Sequence, residues 1–421
     1  MTNSTTCIAP TTDQHARLRW WICSLLFAAT VINYIDRQVF SILAPELQRS
    51  IGWSELSYGR IVIAFQLSYA ISLALSGRLI DRIGTRLGYT LTFIWWSFSE
   101  MAHALARTPI SFGAVRLVVG VGEGAIFPSA IKTIAEWFTG RERALAAGLL
   151  NSGPTMGAIL APIIVPVVAA HYGWRGAFVL TGILGLPWLA AWLWFNRLTP
   201  REGSATALTR ANQIPWRRLL SLRQTWAYAV GKLLADPAWF FYLFWLPKFL
   251  AQQHNLRGTA IIPYLTTVYL LTGLGSISGG LCSGFLLRRG MSLNASRKTT
   301  LAISACFMPV VIIAAQLTNP WAAVLLIGLV TAAHQSWSSL IFTLGTDLFP
   351  SKAMASATGI AGALGSFSTI LFAEVTGRIL NVNPHAYLPM FIACGFMYLV
   401  ALGIIHLLSP RLEPVREEDL L

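Results

Sequence analysis

Apolar residues in this chain fall in long blocks separated by short polar breaks. A helix that crosses a bilayer needs about 20 mostly apolar residues. Twelve blocks have that length: 20–44, 58–79, 87–106, 110–137, 144–170, 174–196, 225–250, 259–286, 299–317, 320–346, 353–378 and 386–408. Charged or turn-forming residues end each of them. Most connections are short, so sequence neighbours should pack as antiparallel neighbours. The exception is about 197–224, which carries Arg197, Arg201, Arg210, Arg217, Arg218 and Arg223 against Glu202 alone. The pattern predicts an all-α integral membrane protein with twelve transmembrane helices.

Composition agrees with that pattern. Of 421 residues, 55% are hydrophobic and only 11% charged, against about 25% charged in soluble domains. An ordinary soluble enzyme and a disordered chain are both excluded. The net charge of +14 would suggest a nucleic-acid partner in a soluble protein. Membrane proteins have another reason to be basic, because cytoplasmic loops collect Lys and Arg. With the N-terminus placed inside, twenty Lys and Arg flank the spans on the inner side and seven on the outer, leaving Arg37, Arg116, Lys132 and Lys232 within helices. That bias predicts a multi-pass protein of the inner cell membrane with both termini cytoplasmic. It also scatters the charge over many loops, which removes nucleic acid as a partner; the lipid bilayer takes its place. The first block is too long for a signal-peptide core and lacks a small-residue cleavage site, so it should be retained.

Enzyme chemistry finds no support. Cys7, Cys23, Cys282, Cys306 and Cys394 have no metal or redox spacing. There is no nucleophile–base signature, phosphate loop or metal cluster. The expectation is therefore no cofactor, no metal and no ATP-driven cycle.

The chain repeats itself at half its length. Glu136-Trp-Phe-Thr-Gly-Arg-Glu-Arg-Ala-Leu-Ala-Ala-Gly148 lies 211 residues before Asp347-Leu-Phe-Pro-Ser-Lys-Ala-Met-Ala-Ser-Ala-Thr-Gly359, with acid, Phe, base, Ala, Ala and Gly in register. Gly77-Arg-Leu-Ile-Asp-Arg-Ile-Gly84 has a weaker counterpart in Gly284-Phe-Leu-Leu-Arg-Arg-Gly290. Two parallel six-helix repeats are predicted: an N-terminal bundle over 1–198, a basic cytoplasmic linker over 199–224, and a C-terminal bundle over 225–421 ending in a short tail. Such repeats are a transporter plan, with the site between halves near the midplane.

Charged residues inside spans are functional candidates by default. Span one holds Asn33-Tyr34-Ile-Asp36-Arg37, and span four holds Arg116-x-x-x-Gly120-Val-Gly122-Glu123-Gly124. Arg116 and Glu123 share a face about 10 Å apart along the axis. Asp36 and Arg37 point about 100° apart and can serve different partners. Gly120 and Gly124 form a small-residue face for close helix packing. Lys232 and Asp236, four apart in span seven just before Pro237, read first as an intrahelical ion pair and second as a gate contact.

The loop Gly77-x-x-x-Asp81-Arg82-x-Gly84-x-Arg86 resembles the signature loop between helices two and three of the major facilitator superfamily, with Thr85 in place of an Arg often found there. Asn33-Tyr-Ile-Asp-Arg37, Arg116 to Pro128, Ala135-Glu-Trp-Phe138, Asn151-Ser-Gly153, Tyr172-Gly-Trp-Arg175, Asp236 to Lys248 and Ala333-His-Gln-Ser-Trp337 narrow the likeness. They resemble the anion:cation symporter family, and within it the hexuronate transporters. Departures are Pro154 and Gly362, where the galactonate branch carries polar residues, and Glu100, His103 and Glu374, which the family does not lead one to expect.

The resemblance implies a carrier that moves an organic carboxylate, most simply a sugar acid such as a hexuronate, together with protons by alternating access. It implies that Arg37 grips the carboxylate, a role that suits a planar bidentate fork. Tyr34, Tyr69, Asn151, His334, Gln335 and Trp337 would contact the rest of the substrate. Asp36 and Glu123 would be the protonation sites, with Arg116 and Arg37 exchanging partners, so that protonating Glu123 frees Arg37. Gly77, Asp81, Arg82, Gly84, Arg86, Glu136 and Asp347 would form the cytoplasmic gate. A monomer is expected. An exchanger of organic anions, or a symporter of glucarate, galactonate or an aromatic acid, fits the same residues; a channel or sensor would need filter loops or a soluble domain that the chain lacks.

Overall fold

A computed structural model of the protein describes residues 12–138, 140–198 and 216–416. The side chains of Gly77, Asp81 and Asn151, those of residues 141–145 and most of the 199–224 linker lie outside the described residues. The described residues contain helices and no strand. In chain order these are α1 (Thr12–Ile51), α2 (Glu55–Ile83), α3 (Thr85–Ala102), α4 (Pro109–Gly124), α5 (Ile126–Trp137), α6 (Gly140–Leu198), α7 (Trp216–Ser221), α8 (Arg223–Leu233), α9 (Asp236–Gln253), α10 (Ile262–Arg288), α11 (Leu293–Phe307), α12 (Val311–Ala314), α13 (Pro320–Leu348), α14 (Ser351–Val382) and α15 (Leu388–Leu408).

Each of the twelve predicted spans has its helix. Among the described residues, nine helical stretches are individually long and apolar enough to cross a membrane. One of them, Gly148–Asn196, holds spans five and six, which continue through Gly173 at φ 68; only glycine takes that conformation cheaply. Two spans fall short by that measure. Span three is the 18-residue α3, where Thr, Ser, Tyr89, Trp95 and Trp96 lower the mean hydropathy. Span seven is divided between α8 and α9 at Leu234–Ala235.

The breaks have sequence causes. Pro128 has no N–H for the carbonyl four residues earlier, and the helix is interrupted at Ala125, between Gly124 and Ile126. Pro237 does the same to span seven. Both breaks sit beside charged residues, Glu123 in one case and Lys232 and Asp236 in the other. The turn between α2 and α3 is a single residue, Gly84 at φ 83, which ends one helix and begins the next.

Packing departs from the antiparallel expectation: sequence neighbours are not the main partners. α1 lies along the first part of α6, α2 along α4, and α10 along α13, so each of these spans lies chiefly along one two or four spans away that runs in the same direction. Three further contacts chiefly join the first half of the chain to the second, α2 with α14, α6 with α10 and α1 with α9. Outward-facing positions are apolar: Leu67, Ile71, Leu75 and Leu79 form one exposed stripe, and Phe367, Leu371 and Val375 another. Spacing by four puts each stripe on one helix face. Stripes of this extent belong against hydrocarbon, since soluble monomers rarely expose so much contiguous apolar surface.

Gly120 and Gly124 act as predicted for a small-residue face. A Cβ on Gly120 would lie 2.1 Å from Ser68 Oγ and 2.6 Å from the Phe65 carbonyl oxygen; on Gly124 it would lie 2.7 Å from the Tyr69 carbonyl oxygen. Gly120→Val should therefore force α2 and α4 apart and destabilise the protein by about 3 kcal/mol. Gly148→Ala, with nothing within 4 Å of the added carbon, should cost nothing. Thermal unfolding of the two purified variants in detergent measures the contrast.

Candidate functional site

Arg37 comes from the middle of α1 and Glu123 from the last turn of α4, at the helix break. Arg37 Nε and Nη2 both donate to Glu123 Oε2, at 3.0 and 2.8 Å. Both side chains are buried. Aromatic rings surround the guanidinium: its carbon lies 4.7 Å from the Tyr69 ring centroid, 4.9 Å from Tyr34 and 5.4 Å from Phe65. Ring faces favour a cation and also exclude water. Glu123 Oε1 is buried without a hydrogen-bond donor. The arrangement is a cation held on one side by a single carboxylate oxygen, with two phenols beside it.

Across the bundle stands a second charged pair. Lys232 Nζ donates to Asp236 Oδ1 at 3.2 Å, bridging the break between α8 and α9. This pair lies within electrostatic reach of Tyr34 and Tyr69, the phenols beside Arg37. A small cavity runs beside Lys232 and Asp236 and is walled by Gly231, His334, Trp337 and Phe342. The (i, i+4) spacing alone suggests an intrahelical ion pair first and a gate contact second. Only the tertiary structure brings it near Tyr34 and Tyr69.

His334, on α13, is the repeat equivalent of Glu123, since each lies 13 residues before its repeat acid, Asp347 or Glu136. Its Nδ1 is 2.5 Å from the Tyr398 hydroxyl, and the Trp239 indole stacks on the ring at 5.1 Å. Gln335 is half-buried at the next position. Trp337 is fully buried and donates its indole N–H to the Gly231 carbonyl at 3.1 Å. In this conformation its ring packs edge-on against Tyr398, while Trp239 is the indole against His334. Neither Trp239 nor Tyr398 could be picked out in the sequence, because a single aromatic in an apolar span carries no periodic signal.

Asp36 and Arg116 are buried beside the Arg37–Glu123 pair without joining its hydrogen bonds. The Arg116 guanidinium sits 4.5 Å over the Phe40 ring, and its three nitrogens have no hydrogen-bond partner. Glu100, Glu123 and Asp36 are the acids around it.

At the basic end of the bundle, where Gly84 turns, Thr85 Oγ1 donates to Glu136 Oε2 at 2.7 Å. The residue that departs from the family's motif is thus the one that meets this acid. In the second half Arg297 Nε donates to Asp347 Oδ2 at 2.9 Å. The two acids are repeat-related, being 211 residues apart, but their partners are not: Arg297 corresponds to Arg86, the residue after Thr85. Arg82 is exposed. Gly77 and Asp81 belong to the same loop motif.

The opposite end holds a network absent from the sequence reading. Lys248 counts there as an outer-loop charge; it is in fact buried within α9. It pairs with Glu55, the first residue of α2. Gln48 and Gln252 donate to the other oxygen of Glu55, each at 3.0 Å. The Tyr387 hydroxyl donates to Gln252 at 2.5 Å, and Tyr58 donates to the Phe244 carbonyl at 2.5 Å. Gly59 lies against Ala373 and Gly377 of α14. Arg60 and Arg378 both reach Glu374, at 3.8 and 2.8 Å. These contacts clasp the first half of the chain to the second. A cavity beside the clasp is lined by Arg49 and Arg257 together with Gln48, Lys248 and Gln252.

A helical bundle with nine membrane-length stretches among its described residues, closed at one end and carrying enclosed ion pairs in both halves, defines a polytopic carrier. Comparison with known proteins gives its family. The model of the Major Facilitator Superfamily matches residues 26–373, and the chain belongs to that superfamily; it is a transporter and not an enzyme. It is 29% identical over 419 residues to a hexuronate transporter of Escherichia coli K12, covering 95% of this chain and 96% of that one. It is 30% identical over 309 residues to a galacturonate transporter of Dickeya chrysanthemi, covering 69% and 89%. Among solved structures, a bacterial homologue of the human lysosomal transporter Spinster matches with a TM-score of 0.74 at 17% identity, over 96% and 98% of the chains.

Lys248→Ala should destabilise the protein by about 3–5 kcal/mol, because it strands Glu55 as a buried unpaired charge. Glu55→Gln combined with Lys248→Gln should recover most of that loss, since no net charge then remains. Melting of the three variants in detergent gives the comparison.

Proposed function

We propose that this chain is a proton-coupled symporter of a sugar acid, with a hexuronate as the substrate that fits best. The observation that carries the reading is the buried Arg37, held through one oxygen of Glu123 and flanked by Tyr34 and Tyr69. Its fork suits a carboxylate, and the phenols suit sugar hydroxyls. Hexuronate and galacturonate transporters among its relatives support the same substrate class.

The mechanism follows from electrostatics. A carboxylate substrate entering a dry cavity needs Arg37, and Glu123 already occupies it. A proton delivered to Glu123, whose Oε1 has no donor, removes the charge that holds the guanidinium. Arg37 then turns its N–H groups to the substrate. Proton and anion enter together because one cation cannot hold two carboxylates. Lys232 and Asp236 balance the opposite wall, His334 and Gln335 offer polar contacts from α13, and Asn151 and Trp337 complete the substrate set. Arg116 and Asp36 complete the first-half charge network. The basic end is cytoplasmic under the positive-inside bias, in the inner cell membrane, and the clasp at Glu55 and Lys248 closes the outer side. The halves 1–198 and 225–421 rock about the site as a monomer, the 199–224 linker between them, with the loop from Gly77 to Arg86, Glu136 and Asp347 latching the cytoplasmic side. Arg49 and Arg257 give the outer mouth a positive field for an anion.

Uptake of D-galacturonate, D-glucuronate, D-galactonate and D-glucarate into proteoliposomes under an inward proton gradient tests the reading. Accumulation of a hexuronate that collapses with the gradient is expected; uptake that needs internal anion and ignores the gradient selects an exchanger. Arg37→Lys should weaken substrate binding about 10- to 100-fold, the loss of roughly 1.4–3 kcal/mol for a charge-assisted bidentate contact. Unchanged affinity would remove Arg37 from the site. Glu123→Gln should bind substrate yet fail to accumulate it.

A further inference from the structure

The first half of the chain buries more acids than bases. Arg37 and Arg116 are 3% and 1% exposed, and Asp36, Glu100 and Glu123 are 1%, 0% and 1% exposed. An uncompensated charge at this depth costs several kcal/mol. The set is therefore neutral when one of the three carboxyl groups holds a proton. Glu123 is not that group in this conformation, because two Arg37 N–H groups donate to it. That leaves Asp36 and Glu100, and a single cation, Arg116, between them.

The hydrogen bonds say the same. Asp36 Oδ1 and both Glu100 oxygens are buried without a hydrogen-bond donor, and all three Arg116 nitrogens are buried without an acceptor. Such unmatched atoms suit a group that changes its protonation and its partner. The groups facing Glu100 are Arg116 and Glu123 from α4, Asp36 from α1 and His103 at its own helix end. Thr181 of α6 lies beside Asp36.

His103 links this pocket to the end of the bundle. It lies in the turn after α3, two residues before Leu105, which is 80% exposed. Its Nδ1 is 3.0 Å from the Glu100 carbonyl oxygen and 3.5 Å from Glu100 Oε2. With Nδ1 donating to that carbonyl, Nε2 is the bare acceptor, and it is buried without a partner. The ring is fixed by stacking on Phe178 at 4.6 Å.

We propose that Asp36 and Glu100 share one proton across Arg116, loaded from the outer end through His103, and that this proton is the one passed on to Glu123. The transfer balances. A hydronium ion entering from the outer end gives its proton to His103 Nε2 and leaves as water, and the imidazolium gives its Nδ1 proton to the Glu100 carboxylate, whose Oε2 lies 3.5 Å away. Glu100 gives it to Asp36 and, once ionised, pairs with Arg116. Asp36 gives it to Glu123, which releases Arg37. Glu100 and His103 never touch substrate; they are positioning and relay residues. The proposal rests on the symport reading and adds an entry path to it.

The test uses the full chain in proteoliposomes with labelled D-galacturonate. Two readouts are compared: accumulation driven by an inward proton gradient, and counterflow, in which labelled and unlabelled substrate exchange with no net proton movement. Glu100→Gln should cut driven accumulation by about tenfold or more, as expected for loss of a positioned proton carrier, while counterflow persists. His103→Gln should slow driven uptake with KM for substrate unchanged. Glu100→Asp, which can still carry a proton, should restore accumulation with an altered pH profile, and it decides the matter should the Gln variant not fold. Driven uptake at the wild-type level and pH profile in the Glu100 variants overturns the relay and leaves the symport reading standing. Wild-type vesicles without gradient-driven accumulation overturn the symport reading, and the relay with it.

Discussion

An ionised side chain away from water costs several kcal/mol unless another charge or a set of dipoles meets it. The architecture of this protein answers to that constraint. Its enclosed charges come in facing sets: the buried pairs Arg37 with Glu123 and Lys248 with Glu55, and the half-buried pair Lys232 with Asp236. Each set ties different elements or bridges a break, so the positions of α1, α2, α4, α8 and α9 are fixed partly by charge and not by apolar packing alone. The same constraint makes the sets usable. A pair that is neutral only while intact responds to any proton or anion that changes its balance.

Helix breaks and glycines make room for these pairs. Proline at 128 and 237 ends the hydrogen-bond ladder beside Glu123 and Asp236, where freed backbone dipoles and shortened helices leave space near the centre. Gly120 and Gly124 let α4 approach α2 closely enough for Arg37, Tyr69 and Glu123 to meet. The repeat adds a symmetry with unequal chemistry. Where the first half carries Glu123, the second carries His334, held by Tyr398 and stacked on Trp239. At these equivalent positions one half thus carries a carboxylate paired with Arg37 and the other an imidazole held by a phenol, beside the Lys232–Asp236 pair.

Much of this was legible in the chain. The twelve blocks, the half-length repeat and the scarce intramembrane charges identified the architecture and pointed to Arg37, Glu123, Asp36 and Arg116. These features are local: a block of 20 apolar residues declares itself without reference to anything else. The clasp at Glu55 was not legible. Glu55 and Lys248 are 193 residues apart, both sit at span ends, and each looks like an ordinary solvated charge. Glu100 and His103 stood out only as departures from a family pattern. Their meaning depends on burial beside Arg116, which no spacing along α3 could reveal. Trp239 and Tyr398 were invisible for a simpler reason, since aromatic residues in apolar spans are common.

By itself the sequence determined that the chain crosses a membrane repeatedly, which end of the bundle is basic, and that its few interior charges need partners. Those are consequences of hydropathy and charge counted along the chain. Which charge meets which was decided only by the tertiary structure. Arg37 turns to Glu123 and not to the adjacent Asp36, Lys248 lies buried with Glu55 and not in a loop, and Arg116 is left among acids with no hydrogen bond of its own. Pairing energy depends on distance and burial in three dimensions, and neither is encoded in spacing along one helix.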